Sequence, residues 1–261
     1  WDQPPVTGET TNVFNGWNQQ SVESTPPWAA DDWVCTNADP VTKIRWWGSF
    51  LNWTETNAPL HLNGFRIKFW KDVPKGADPL NPNLSHPGAL VTNITCTNYT
   101  MSFAGWDYDP RSNRYEACFL FEQTLKPTEY FYQGPGIKTN WISIAAMQPP
   151  SDPYLWGWKT RPRSATSAAP DAAVQFNPML NPPWYSLLWT NGSWDLAFEL
   201  ITTKSGVTTK WEQLPDLSTN GVDVAASDNP NLPPPNLLAS DFRCSATGPL
   251  TNITIWGSWF Q

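Results

Sequence analysis

The chain carries one stretch of its sequence twice. Ala30-Asp-Asp-Trp-Val-Cys35, followed by Thr42-Lys-Ile44-Arg-Trp-Trp47-Gly48-Ser49, returns as Ala239-Ser-Asp-Phe-Arg-Cys244 followed by Thr251-Asn-Ile253-Thr-Ile-Trp256-Gly257-Ser258, with a constant offset. Further upstream, Trp1-Asp-Gln-Pro-Pro5 resembles Trp211-Glu-Gln-Leu-Pro215. A self-match at fixed distance marks a repeated structural unit. The unit is then roughly two hundred residues long, within the range of a single all-β domain. The chain reads as one whole unit plus the opening of a second.

Inside the repeat the side chains alternate as in a strand. Ile44, Trp46, Gly48 and Phe50 fall on one face, and Arg45, Trp47 and Ser49 on the other. The second copy makes the same split, with Ile253, Ile255, Gly257 and Trp259 against Thr254, Trp256 and Ser258. The apolar face is expected to turn inward, which leaves Trp47 and Trp256 outside among polar neighbours. Alternation also points Phe65, Ile67 and Phe69 inward, and likewise Leu196, Phe198 and Leu200. Further strands are expected over 89–95, 99–103, 115–122, 129–133, 140–146 and 156–160. No segment sustains a 3.6-residue apolar period between caps, so helix is minor. Many short strands between Gly and Pro turns predict an all-β fold, a jelly-roll-like antiparallel β-sandwich with long Pro- and Gly-rich loops. Residues 1–29 read as an extended N-terminal arm, 30–203 as the sandwich, 204–210 as a linker and 211–261 as an incomplete second copy. That last segment is too small to bury a two-sheet core by itself. It is either a fragment of a longer repeat or a strand-bearing segment that docks on a neighbouring subunit.

Charge narrows the partners. The formal net charge is −7, which opposes nucleic acid and anionic membrane surfaces, since both need clustered Lys and Arg. No apolar run reaches the ~20 residues that span a bilayer. The chain opens on Trp1 without a signal peptide and reads as a mature or excised chain. His61 and His86 are the two histidines, and no zinc, haem, phosphate-loop, dinucleotide or nucleophile-elbow motif occurs. Asp107, Asp109, Glu116, Glu122 and Glu199 are candidate acids for a glycosidase pair, but no spacing pairs them. No catalytic residue is assigned, and the chain reads as a non-enzyme. Asp107-Tyr-Asp109 and Asp31-Asp32 offer oxygen donors for Ca²⁺, a hard ion; solvated turn carboxylates are the plainer reading. No other cofactor is expected.

With 18 Trp, 27 Pro and 15% charged residues, the composition suggests an extracellular or cell-surface protein. Asn-X-Ser/Thr sequons at Asn52, Asn83, Asn93, Asn98, Asn191 and Asn252 are candidate glycosylation sites, with unmodified loop asparagines as the alternative. Cys96 and Cys118 lie on strands expected to be neighbours and form the candidate disulfide. Buried thiols are the alternative. Cys35 and Cys244 occupy the same position in the two copies and are not expected to pair. The aromatic surplus supplies the main functional hint, because aromatic faces stack on sugar rings and concentrate at interfaces. Trp47, Trp53, Trp106, Trp156, Trp158, Trp184 and Trp256 are placed in loops or on outer faces. They are the candidate contact surface for a glycan, a sister subunit or the protein's own loops.

Several motifs together carry a resemblance: Asp31-Asp-Trp-Val-Cys35, Ile44-Arg-Trp-Trp-Gly-Ser49, Ser85-His-Pro-Gly88, Cys96-Thr-Asn-Tyr-Thr100, Glu116-Ala-Cys118, Trp141-Ile-Ser-Ile144, Trp156-Gly-Trp-Lys-Thr160 and Asp195-Leu-Ala-Phe198. As a set they resemble an uncharacterised β-sandwich domain of secreted bacterial proteins, found in tandem copies in large surface proteins. The resemblance covers about residues 1–203 and resumes at 211. It implies a secreted setting and brings no activity or catalytic residues. The leading expectation is a non-enzymatic extracellular structural protein whose subunits assemble into a filament or surface layer through 1–29 and 211–261. A carbohydrate-binding module using exposed Trp platforms is the alternative, and a glycoside-active enzyme the remainder.

Overall fold

The computed structural model describes residues 1–8, 12–35, 38–59, 62–134, 136–169, 171–189, 192–202 and 255. The chain divides into two units, Trp1–Lys204 and Ser205–Gln261, and the sandwich is the first of them. Its strands in order are β1 Asp2–Gln3, β2 Val13–Asn15, β3 Asn18–Gln20, β4 Trp28–Cys35, β5 Val41–Phe50, β6 Phe65–Val73, β7 His86–Cys96 and β8 Thr100–Asp109. There follow β9 Arg114–Thr124, β10 Lys138–Ala146, β11 Trp156–Pro162, β12 Val174–Phe176, β13 Trp184–Ser186, β14 Leu188–Trp189, β15 Gly192–Leu196 and β16 Phe198–Thr202. A 3₁₀ turn at Pro127–Glu129 is the one helical element among the described residues. No helix there is long and apolar enough to cross a membrane.

Two sheets pack face to face. The ten-stranded sheet runs β14-β15-β11-β5-β9-β8-β2, with β16 joining β5 to β1, and β3 on β11. The six-stranded sheet runs β13-β12-β4-β10-β6-β7. The pairing is antiparallel except between β2 and β8. This is the expected all-β sandwich.

The alternation read from the sequence decides what fills it. Ile44, Trp46 and Phe50 of β5, Phe65, Ile67 and Phe69 of β6, and Leu196, Phe198 and Leu200 near the C-terminal end of the unit are all buried in one core between the sheets. The rings meet mostly edge to face, as between Trp46 and Phe65 at 5.0 Å and Phe65 and Trp156 at 4.9 Å, the arrangement that ring quadrupoles favour. Gly48, which recurs as Gly257, has a steric reason. A Cβ there would collide with the Trp156 ring and the Gly157 carbonyl of β11.

The N-terminal segment departs from expectation. Residues 1–29 are no free arm: β1 pairs with β16, β2 with β8 and β3 with β11. Trp17 and Val22 reach the main core. Polar side chains also tie the layers. Asp31 points inward from β4, and its Oδ2 accepts from Gln3 Nε2 at 2.8 Å and from the Leu196 backbone N–H at 2.7 Å. One buried carboxylate thus links the six-stranded sheet to β1 and β15.

Candidate functional site

The sandwich has two outer faces. On the six-stranded sheet the outward positions are aromatic: Trp28, Trp70, Trp141, Phe176 and Trp184 gather with Ala30 and Val174. Trp28 stacks on Phe176 at 4.4 Å and meets Trp184 edge-on at 5.3 Å. Lys68 Nζ lies 5.0 Å from the Trp28 ring centre, and burial lowers its pKa. The indole N–H groups find partners on the same face, Trp70 on Ser143 Oγ at 3.0 Å and Trp141 on Asp72 Oδ1 at 2.7 Å. The loop before β7 closes one side, where Asn81 Nδ2 donates to the Trp184 carbonyl at 3.0 Å. Trp28, Trp70 and Phe176 stay partly exposed.

On the ten-stranded sheet the outer face is roofed by the N-terminal strands and is polar beneath. Lys159 on β11 lies opposite Asn18 in the β3–β11 register, and the lysine is fully buried. Its Nζ meets Asp107 Oδ1 at 3.0 Å and donates to the Gly16 carbonyl at 2.8 Å. Gly16 sits at φ +103°, where a Cβ would also strike Thr160. Asp107 Oδ2 accepts from Ser49 Oγ at 2.7 Å and from Asn18 Nδ2 at 2.9 Å. The same Asn18 amide donates to Glu116 Oε2 at 2.8 Å, and Glu116 Oε1 accepts from the Asn52 N–H at 2.6 Å. Burial raises the pKa of Glu116 against these hydrogen bonds. Beside this group Trp47, Cys118 and Ala197 form a small apolar cluster with Phe14, Ala104 and Leu120.

A second set of buried carboxylates lies around β4. Asp31 is held well above the usual carboxylate range by burial and then by the nearby Asp195 and Asp32 charges. Burial pushes Asp32 up to about 8 and Asp195 up to about 6. Arg163 stands 3.8 Å from Asp195, and Asp32 accepts from the Asp171 N–H at 3.3 Å.

An open groove of about 450 Å³ is lined by Trp53, Glu55, Asn57, Pro59, Pro153 and Tyr154. Trp53 and Tyr154 meet edge to face at 4.9 Å. Trp53 Nε1 donates to the Asn57 carbonyl at 2.8 Å. The groove offers a partly exposed indole beside a carboxylate and an amide.

The residues expected to form a contact surface separate. Trp53 lines the groove, and Trp106 is half-buried against the main core. Trp156 and Trp158 are fully buried in that core, which corrects their assignment to an outer face. They flank Gly157 on one strand and so share a face, and Lys159 takes the other. Trp47 does point away from the core, yet the N-terminal roof leaves it 8% exposed. Trp184 is 7% exposed within the aromatic face, and Trp256 lies outside the described residues. Cys96 and Cys118 are not bonded to each other. Their strands belong to different sheets, with Cys96 in the main core facing Gln123 Oε1 at 3.1 Å and Cys118 on the outer face. Burial pushes the Cys96 thiol up to about 12.

Asp107 and Asp109 do not form the expected Ca²⁺ pair. Asp107 is taken up by Lys159, Asn18 and Ser49, and Asp109 by Arg111 at 3.0 Å. No group of three or more metal-ligating side chains occurs among the described residues. The other acids are engaged separately, Glu122 with Lys43 at 2.6 Å and Arg45 at 2.5 Å, and Glu199 with Arg45 at 3.3 Å. Asn52, Asn83, Asn93 and Asn98 are exposed. Asn191 and Asn252 lie outside the described residues.

Fold and surfaces together define an all-β sandwich domain with one aromatic outer face and one roofed polar one. The chain belongs to the DUF7901 family, a domain of unknown function, whose family model matches residues 1–201 and 209–261. No curated protein and no solved structure matches it.

Proposed function

We propose that this chain is part of a non-enzymatic, extracellular structural protein built from tandem copies of the sandwich, whose subunits join edge to edge. The observation that carries this reading is β7. Among the described residues it is an eleven-residue strand at the end of the six-stranded sheet, with Leu90 and Val91 exposed at 48% and 46%. A long exposed edge with apolar side chains is a template for another strand. The segment that suits it is 251–259 of a neighbouring copy, whose sequence alternation sets Ile253, Ile255 and Trp259 on one side. Ile255 is 85% exposed. Two stretches matched by one family in a single chain support the tandem arrangement. Electron microscopy of the concentrated full chain is expected to show ordered linear assemblies; isolated particles at every concentration would overturn the reading.

The groove at Trp53 favours a second role, the binding of a glycan by ring stacking with Glu55 and Asn57 as hydrogen-bonding neighbours. Pull-down on insoluble polysaccharides is expected to retain the chain and to release Trp53→Ala, with its circular dichroism unchanged. No retention on any polysaccharide would remove this role.

A further inference from the structure

We infer that Lys159 and Asp107 are the partners of an intramolecular amide cross-link, an isopeptide bond that braces the outer face of the ten-stranded sheet. Both side chains are withdrawn from water, at 0% and 1% exposure, with Nζ 3.0 Å from Oδ1. A buried ion pair is an expensive way to hold two strands together, because desolvation offsets most of its attraction. The same two groups joined as an amide carry no charge and need only the hydrogen bonds of a neutral amide. Fixed proximity also removes the entropic barrier that makes such condensations slow in water, an effect worth on the order of 10⁵ M or more in effective concentration.

The neighbours fit the reaction. Asp107 and Glu116 face each other across β8 and β9, and the Asn18 amide bridges their carboxyl groups. Ser49 Oγ donates to Asp107 Oδ2 at 2.7 Å, which orients the carboxyl and leaves Oδ1 toward the amine. The step begins with proton transfer inside the pair, giving a neutral amine and a carboxylic acid. The Nζ lone pair then forms a bond to Asp107 Cγ. One proton passes from the nitrogen to the departing hydroxyl, with Glu116, hydrogen-bonded to the same Asn18 amide as Asp107, as the neighbouring acid–base group, and the C–O bond breaks. The ammonium and carboxylate become one amide and one water, with no oxidant or reductant. General acid–base help of this kind suits a carboxyl whose pKa burial raises. Asn18 is the less suitable acyl donor, since its NH₂ is already committed to two carboxylates. The product links β8 to β11, two strands separated in the sheet by β5 and β9. It would resist sliding of the strands between them.

Intact-mass spectrometry of the unglycosylated full chain, followed by proteolysis, tests this. The expected mass lies below the sequence mass by about 18 Da, one water, and a branched peptide joins Lys159 to Asp107. Lys159→Arg is expected to show the full mass. Asp107→Asn is expected to lose ammonia, about 17 Da, and to end at the wild-type mass, since the product amide is identical. Glu116→Gln is expected to leave the chain uncondensed. A wild-type chain at its full sequence mass overturns the inference. So does a loss of water without the branched peptide, or a wild-type loss of ammonia, which would place the bond on an asparagine.

Discussion

The two outer faces of this sandwich are finished in opposite ways. The ten-stranded sheet hides polar groups under a roof of chain: β2 and β3, paired with β8 and β11, bring Phe14, Gly16 and Asn18 over that face, and Lys159, Asp107, Asn18 and Glu116 contact one another beneath. The six-stranded sheet stacks rings on one another and leaves Trp28, Trp70 and Phe176 partly in water, with β7 as its edge strand among the described residues. A polar group under cover must be paired, whereas a ring at the surface needs only a neighbour. The first face is therefore specific and intolerant of change. The second is adaptable and available for contact.

The largest effect should come from breaking the roofed face. Lys159→Met leaves Asp107 a buried carboxylate with neither ion pair nor amide cross-link, and its stability by urea denaturation is expected to fall by at least about 3–5 kcal/mol. A loss below about 1 kcal/mol would mean that the pair does not close this face. On the open face Trp70→Ala removes a half-buried ring, and about 2 kcal/mol is expected, short of the cost for a fully buried Trp. Equal losses from the two variants would erase the contrast.

The buried carboxylates between these faces sharpen it through pH. The folded chain keeps protons on Asp32 and Asp195 up to about 8 and about 6, while the unfolded chain releases them near the ordinary carboxylate value. Stability should therefore decline as pH rises from about 5 to 8, by roughly 1.4 kcal/mol per pH unit for each proton so held. Hydrogen bonds from Lys43 and Arg45 hold Glu122 low. It acts in the opposite sense, but only below the ordinary carboxylate range. Asp32→Asn keeps an acceptor for the Asp171 N–H and is expected to make the decline above pH 6 shallower, with Asp31 keeping its own share. A urea midpoint independent of pH in the wild type would contradict this.

Much of the fold could be read from alternation alone. The inward faces of β5, β6 and the 196–200 stretch follow from period-two patterning, and Gly48 marks the close approach of β11. The outer faces could not be read that way, because alternation tells inside from outside but not what lies over the outside. Trp47 sits on the predicted side and is nevertheless covered, since a Pro-rich segment that looks like a free arm supplies three short strands. Lys159 carried a usable signal: it is the polar partner of Trp156 and Trp158 in one alternating strand. Its counter-ion lies on a strand three places away in the sheet, a distance that no local pattern encodes. Cys96 and Cys118 show the same limit, since strands close in sequence proved to belong to opposite sheets.

The smallest expected effect on stability is also the most direct probe of the contact edge. Val91→Lys places a charge on exposed β7, where surface substitutions change stability by about 0.5 kcal/mol or less and an edge charge blocks strand addition. Sedimentation velocity of the full chain over a wide concentration range, beside this variant, is the measurement that matters most. A wild type whose sedimentation coefficient grows with concentration, and a Val91→Lys chain that stays monomeric, is the predicted result. A wild type that remains a monomer throughout, or a variant that assembles just as well, would contradict edge-to-edge assembly.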